Sequence, residues 1–265
     1  MTKSININDS IREDLKKVDM MLRAAENLNH DLMQEVFNHF FKVHGKYLRP
    51  TLILLSAYTV NSNLTGEQKD KIIKLSVAVE LIHSASLIHD DIIDGDLMRR
   101  GQKTLNNVYG KKIAVLAGDS LYAKAFSILS KSLPREIENV ITQIIERMCA
   151  SEIIQARKTE ISKQEYFEII KGKTASFMSA CCKLGAALAG AGEKGVSNFE
   201  QYGLNLGMIY QIVDDCIDKD PTALKYVTLN DAENLAVESK CLLEVFNDSI
   251  YKTELLNLIN YILNL

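Results

Sequence analysis

The chain is 265 residues long, 47% hydrophobic and 25% charged, with a formal net charge of −3. These proportions suit one sizeable globular core and exclude a disordered or fibrous chain. Lys and Arg are scattered along a slightly acidic sequence, which excludes the continuous positive field of a nucleic-acid-binding surface.

Five cysteines, an odd number with Cys181 and Cys182 adjacent, make neither a disulfide framework nor a CxxC…CxxC metal spacing, so a cytoplasmic protein is expected. In chain order, the opening MTKSININDS is polar, and the longest uncharged segment, Pro50–Gly66, is interrupted by Ser, Thr and Asn. Neither a signal peptide nor a membrane span is expected. Met20, Met21 and the Cys181–Cys182 pair read as packing groups. The segment HGKYLRP, residues 44–50, supplies His44, read as structural, and places Lys46 and Arg49 just ahead of a helix.

Prolines fall only at Pro50, Pro134 and Pro221, so long helices are permitted nearly everywhere. Residues 72–93 are apolar at Ile72, Ile73, Leu75, Val77, Val79, Leu81, Ile82, Leu87 and Ile88, nearly all round the helix, which predicts a central, buried helix. At ~1.5 Å per residue it spans roughly 33 Å. Residues 113–129 are comparably apolar, and 136–158, 164–190 and 197–219 have the length and composition of helices. Alternating strand patterns bounded by hairpin turns are absent, so the predicted fold is an all-α bundle in a single domain, residues 1–265.

The buried helix ends in HDDIIDGDLMRRG, residues 89–101. On a helix Asp90 and Asp94 are four residues apart and point the same way, with Asp91 beside them, and like charges so placed repel. The group must be fully solvated or face a cation. LGMIYQIVDDCID, residues 206–218, repeats the design with Asp214, Asp215 and Asp218. Two such helix ends could face one cavity and hold Mg²⁺ through oxygen ligands together with substrate phosphates. Arg99, Arg100, Lys46 and Arg49 suit that reading, because guanidinium forks match phosphate oxygens and Lys supplies a mobile charge. On its apolar helix His83 fits a core histidine as well as a substrate contact. His89 reads as structural, and Glu152 and Gln155 in CASEIIQA read as a solvated face.

Together HDDIID…RRG, YQIVDDCID, GKYLRP and KGKTASF resemble, in order, the first aspartate-rich motif, the second, the homoallylic diphosphate loop and the KT element of the trans-isoprenyl diphosphate synthases, or polyprenyl synthetases. The similarity runs from about residue 40 to residue 218. Beyond about residue 219 the chain departs: DKDPTALKYVTLND lacks the expected GKxxGxD, and this part looks abridged. The resemblance implies an isoprenoid-synthase fold, long antiparallel helices around a central cavity. It also implies Mg²⁺-dependent condensation of isopentenyl diphosphate with an allylic diphosphate. Several Mg²⁺ ions would be held by Asp90, Asp94 and Asp214, helped by Asp91, Asp215 and Asp218. Arg99 and Lys173 would bind the allylic diphosphate, and Lys46, Arg49, His83 and Arg100 isopentenyl diphosphate. Thr174 and Gln211 would face the carbocation. No general base is evident, and pyrophosphate itself could take the proton.

Product length is read from the same helix. A hydrocarbon tail running from Asp90 toward the helix N-terminus first meets Ser86 and Ala85, both small, with Ile82 and Leu81 one turn deeper. Short-chain members have an aromatic floor there, so a long-chain product beyond twenty carbons, of the type used for quinone side chains, is expected. A homodimer is expected, with peripheral membrane contact only through the product. Two other readings stay open: a class I terpene cyclase, against which GKYLRP and the second aspartate motif speak, and a non-catalytic subunit of a heteromeric synthase, which rests only on the short C-terminal part.

Overall fold

The computed structural model describes residues 9–26, 31–43, 45–157 and 160–265; His44 lies outside them. Ile11, Leu15, Val18 and Leu22, spaced three or four apart, are buried along one face of α1 (Asp9–Glu26). Val36 and Phe37 do the same for α2 (Asp31–Phe40). In α3 (Leu48–Val60) Pro50 occupies the first turn, where its missing N–H costs no helical bond. The predicted 72–93 helix is the C-terminal part of α4 (Gly66–Ile93), and Ile72, Leu75, Val77, Val79, Leu81 and Ile82 are all fully buried. At about 1.5–3 kcal/mol per buried aliphatic side chain, this one helix is a main source of cohesion.

The all-α expectation holds apart from one short element directly after α4. A two-stranded antiparallel hairpin joins β1 (Met98–Arg99) to β2 (Gln102–Lys103), pairing Met98 with Lys103 and Arg99 with Gln102. Its turn residues Arg100 and Gly101 have φ of 52° and 78°, both in the left-handed region that two-residue hairpin turns require. Strands of two residues are too short to alternate, so no pattern announces them. Next come α5 (Leu105–Tyr109), α6 (Lys111–Ser132) and α7 (Arg135–Arg157).

The stretch expected as one helix over 164–190 is α8 (Lys163–Ile170), a π-helical turn at Lys171–Ala175, and α9 (Ser176–Leu188). A capping box starts α8, in which Ser162 and Glu165 satisfy each other's backbone N–H. Then follow α10 (Glu193–Ile217), α11 (Leu229–Leu243) and α12 (Ile250–Leu263).

The chain divides into two compact units. The smaller comprises Arg12–Thr51 and Ile73–Arg135; the larger is built on Leu52–Ile72 and Glu136–Leu265. Within the larger unit α10 packs against α9 and α11, and its Gly207 lies on the π turn, where a Cβ would come within 2.4 Å of Ala175 Cα. By length and composition alone α4 and α6 are long and apolar enough to cross a membrane, which the uncharged run at Pro50–Gly66 had not signalled. The apolar window of α4 is 72% buried inside the protein and that of α6 33%.

Candidate active-site residues

Both aspartate stretches end their helices with the same backbone device. After α4, Asp94 N–H donates to Asp90 O over 2.8 Å and Asp96 N–H reaches back to Asp91 O over 3.0 Å, with Gly95 at φ 72°. After α10, Asp218 N–H donates to Asp214 O over 2.9 Å and Asp220 N–H to Asp215 O over 3.0 Å, with Lys219 at φ 56°. In each, the second bond spans a left-handed residue as the outer bond of a Schellman motif does, and closes the helix at its aspartates.

In the smaller unit the first stretch sits beside a basic cleft. Arg99, on β1, donates through Nε to Asp91 Oδ1 over 2.6 Å, and its Nη2 lies 3.9 Å from Asp96 Oδ2. Asp91 is almost fully buried, and burial pushes its carboxyl above the usual range, with Arg99 pulling the other way and Asp96 and Asp94 adding to the rise. The cleft is walled by Gly45, Tyr47, Glu80, Asp91, Arg99 and Arg100, among others. A Cβ at Gly45 would stand 3.0 Å from the Arg100 guanidinium, so this glycine lets the guanidinium lie close against the backbone ahead of Lys46. Tyr47 O–H donates to Asp19 over 2.7 Å and anchors the loop.

Two groups on α4 take their character from this basic surrounding. His83 is held well below its ordinary pKa by burial and by the positive charges of Arg49, Arg100 and Arg99, so it is a neutral hydrogen-bonding ring. Glu80, one turn earlier, is pushed up to about 7 by burial, against the pull of Arg49 and Arg100, and its Oε2 is buried with no hydrogen-bond partner. Sequence reasoning passed over Glu80, which looks like an interruption of the apolar run. It also passed over the residues that hold the acidic loop. Thr104 Oγ1 donates to Asp96 O over 2.8 Å, and Asn106 Nδ2 donates to Asp96 O over 3.0 Å and to Asp91 O over 3.2 Å. Ala85 is fully buried and Ser86 half-buried, its hydroxyl donating to His83 O over 2.9 Å. His89 meets Val115 O over 3.2 Å, at a point where a Cβ on Gly118 would collide with the imidazole.

The second stretch, in the larger unit, has tyrosine and amide neighbours. Asp214 is raised above the usual carboxylate range by burial, then by Asp218 and Asp215. A cation on this edge would relieve that repulsion, and Mg²⁺ takes one or two carboxylates and fills its shell with water and phosphate oxygens, so the residues present at both helix ends fit it. Tyr166, on α8, donates to Asp215 Oδ2 over 2.6 Å, and Gln211 Nε2 donates to Asp215 Oδ1 over 2.8 Å. Thr174 Oγ1 donates to Gln211 Oε1 over 3.0 Å. The π turn carries Lys173 and Thr174, and Gly172 lets it press on α7, where a Cβ would overlap Ser151 Oγ. Lys173 Nζ lies 2.9 Å from Glu152 Oε2 and 3.2 Å from Gln155 Oε1. Glu152 and Gln155 are therefore partners of a candidate substrate-binding lysine, which corrects their reading as a merely solvated face. Their signal was the three-residue interval from Glu152 to Gln155, which sets both on one side of α7.

The polyprenyl synthetase family model matches residues 30–238. A geranylgeranyl diphosphate synthase of Saccharolobus solfataricus is 35% identical over 77% of this chain, and a decaprenyl-diphosphate synthase of Dictyostelium discoideum 31% identical over 80%. The matched stretch spans 63% of the first relative's length and 46% of the second's. A polyprenyl synthase from Caulobacter crescentus, solved with calcium and isoprenyl diphosphate, superposes with a TM-score of 0.87 over 99% of both chains at 22% identity, a likeness of fold. Since the family match takes in the basic loop, both aspartate stretches and the Lys173–Thr174 turn, the chain belongs to the polyprenyl synthetase family.

Proposed function

We propose that the chain is a trans-polyprenyl diphosphate synthase, a prenyltransferase that joins isopentenyl diphosphate to an allylic diphosphate. The observation that carries this reading is the single cleft lined by Asp91, Arg99 and Arg100 together. Carboxylates and guanidiniums side by side suit a metal-bound diphosphate, in which each charge meets its opposite. Mg²⁺, held by Asp90, Asp94 and Asp214 with Asp91 and Asp218 assisting, would neutralise the departing pyrophosphate. Arg99 and Lys173 bind the allylic diphosphate. Lys46, Arg49 and Arg100 bind isopentenyl diphosphate, and the neutral His83 adds a hydrogen bond without adding charge. Thr174 and Gln211 offer oxygen lone pairs to the allylic cation and carry no strong nucleophile that would trap it. The proton lost after the new carbon–carbon bond forms goes to the pyrophosphate.

The product we infer is long, beyond twenty carbons and suited to a quinone side chain, because Ala85 and Ser86 place no ring one turn before Asp90. The whole chain acts as one catalytic domain in the cytoplasm, touching membrane only through its product. A homodimer is supported by α6, whose apolar window is largely uncovered, with Leu116 66% exposed; sedimentation at micromolar concentration tests it.

Chromatography of products made from farnesyl diphosphate, labelled isopentenyl diphosphate and Mg²⁺ tests the reaction and the length together. Diphosphates longer than twenty carbons are expected. Ala85→Phe, whose ring adds ~150 Å² or more of surface, should stop them at about twenty carbons, the first condensation product of farnesyl diphosphate, at an unchanged rate of that condensation. A cyclic hydrocarbon would make the protein a cyclase, and no product would leave a non-catalytic subunit. An unchanged distribution in the Phe variant would refute the chain-length assignment alone.

A further inference from the structure

In the larger unit a line of hydrogen bonds runs from the π turn to α8. Thr174 donates to Gln211, Gln211 donates to Asp215 Oδ1, and Tyr166 donates to Asp215 Oδ2. Both Asp215 oxygens thus carry protein donors, whereas among the described residues no donor side chain stands on Asp214 or Asp218. Tyr166 is itself fixed. Its ring lies 6.0 Å from that of Tyr226, and Tyr226 O–H donates to Ile161 O over 2.6 Å. Tyr226 comes from the segment that follows the second aspartate stretch, and that segment supplies a buttress for it.

The order of donors has a chemical consequence. A carboxylate only accepts, so Asp215 forces the Gln211 amide to turn its NH₂ toward Asp215 and its oxygen toward Thr174. The Thr174 hydroxyl then commits its proton to Gln211, and lone pairs remain on both oxygens. A reversed amide would point N–H groups at Thr174 and repel a cation there.

We propose that Asp215 is a positioning residue and not a metal ligand, and that Tyr166 holds it so that Gln211 and Thr174 present lone pairs to the developing allylic cation. This rests on the prenyl-transfer reading above. The test is calorimetry of the full chain with Mg²⁺ and inorganic pyrophosphate, alongside steady-state kinetics, on wild type, Asp214→Asn, Asp215→Asn and Tyr166→Phe. The last keeps the ring against Tyr226 and removes only the hydroxyl, and melting curves establish that each variant folds. Asp214→Asn should weaken Mg²⁺–pyrophosphate binding about tenfold or more. Asp215→Asn and Tyr166→Phe should hold it within about threefold while kcat falls about tenfold at unchanged KM for isopentenyl diphosphate. Binding lost as severely in Asp215→Asn as in Asp214→Asn makes Asp215 a ligand and overturns the proposal, with prenyl transfer intact. Unchanged kcat in both positioning variants overturns it too. Undiminished binding in Asp214→Asn removes the metal from this stretch, and the prenyl-transfer reading falls with the proposal.

Discussion

The two aspartate stretches share spelling and backbone, yet their surroundings differ in kind. Each closes a long helix with the same reverse hydrogen bond across a left-handed residue, Gly95 in one and Lys219 in the other. The first is embedded in guanidinium: Arg99 is on Asp91, and Arg100 and Arg49 act on Glu80 and His83. Among the described residues no cation stands on the second, and its central carboxylate is taken by a phenol and an amide. A DDxxD spacing therefore fixes where three carboxylates point. What each one does is decided by neighbours that arrive from distant parts of the chain: the hairpin for Asp91, α8 for Asp215.

The strongest way to break this comparison is to remove the residue that opens each stretch. Asp90→Ala and Asp214→Ala should each lower turnover by about a thousandfold, the several kcal/mol that a metal contributes to developing charge. Asp214→Ala should not lower the melting temperature, since Asp214 already sits above its ordinary range through burial and the charge of its neighbours. Near-normal turnover of both variants at saturating Mg²⁺ would sink the metal assignment for both stretches.

A subtler probe targets the carboxylate that only the basic cleft possesses. Glu80 has a folded pKa of about 7 against an ordinary 4.5, so between those values the folded state keeps a proton that the unfolded chain has released. The stability this group contributes is therefore full below about pH 4.5 and is lost as pH rises through 7. Glu80→Gln removes the titration. The difference in unfolding free energy should move in the variant's favour by on the order of 2 kcal/mol between pH 5 and pH 8. His83, whose depressed pKa gives the opposite slope, is present in both proteins and cancels. A pH-independent difference in denaturant unfolding would mean that Glu80 stays charged throughout.

The smallest expected effect separates the two helix closures. Lys219 holds a left-handed φ of 56° that glycine adopts at no steric cost, so Lys219→Gly should stabilise the larger unit by about 0.5 kcal/mol. Gly95→Ala, at φ 72°, should destabilise the smaller by about 1 kcal/mol. Opposite signs in thermal melts would confirm that one backbone geometry is built from unlike residues.

What could be read from the chain follows the range of the forces involved. The buried helix over 72–93, the pairing of Asp90 with Asp94 and of Asp214 with Asp218, and the basic residues around them depend on intervals of a few residues, which periodicity reveals. The hairpin escaped because Arg occupies a turn position where Gly or Asn is the usual sign. The π turn escaped because KGKTA has no composition that distinguishes it from α-helix. The contacts of Tyr166 with Asp215 and of Lys173 with Glu152 join residues 49 and 21 positions apart, and no local rule connects them. Glu80 was hidden for a different reason: a lone acid within an apolar run carries no sign of the arginines that tertiary packing brings to it.

The central claim, that two like-spelled helix ends in unlike surroundings each bind metal with diphosphate, is tested most directly by a crystal structure of the protein grown with Mn²⁺ and pyrophosphate. Anomalous scattering should place Mn²⁺ on Asp90 and Asp94 and on Asp214, with Arg99 and Lys173 on the phosphate oxygens and Asp215 still bonded to Tyr166 and Gln211. Manganese bound at neither helix end, or pyrophosphate bound with no contact to either aspartate stretch, would contradict it.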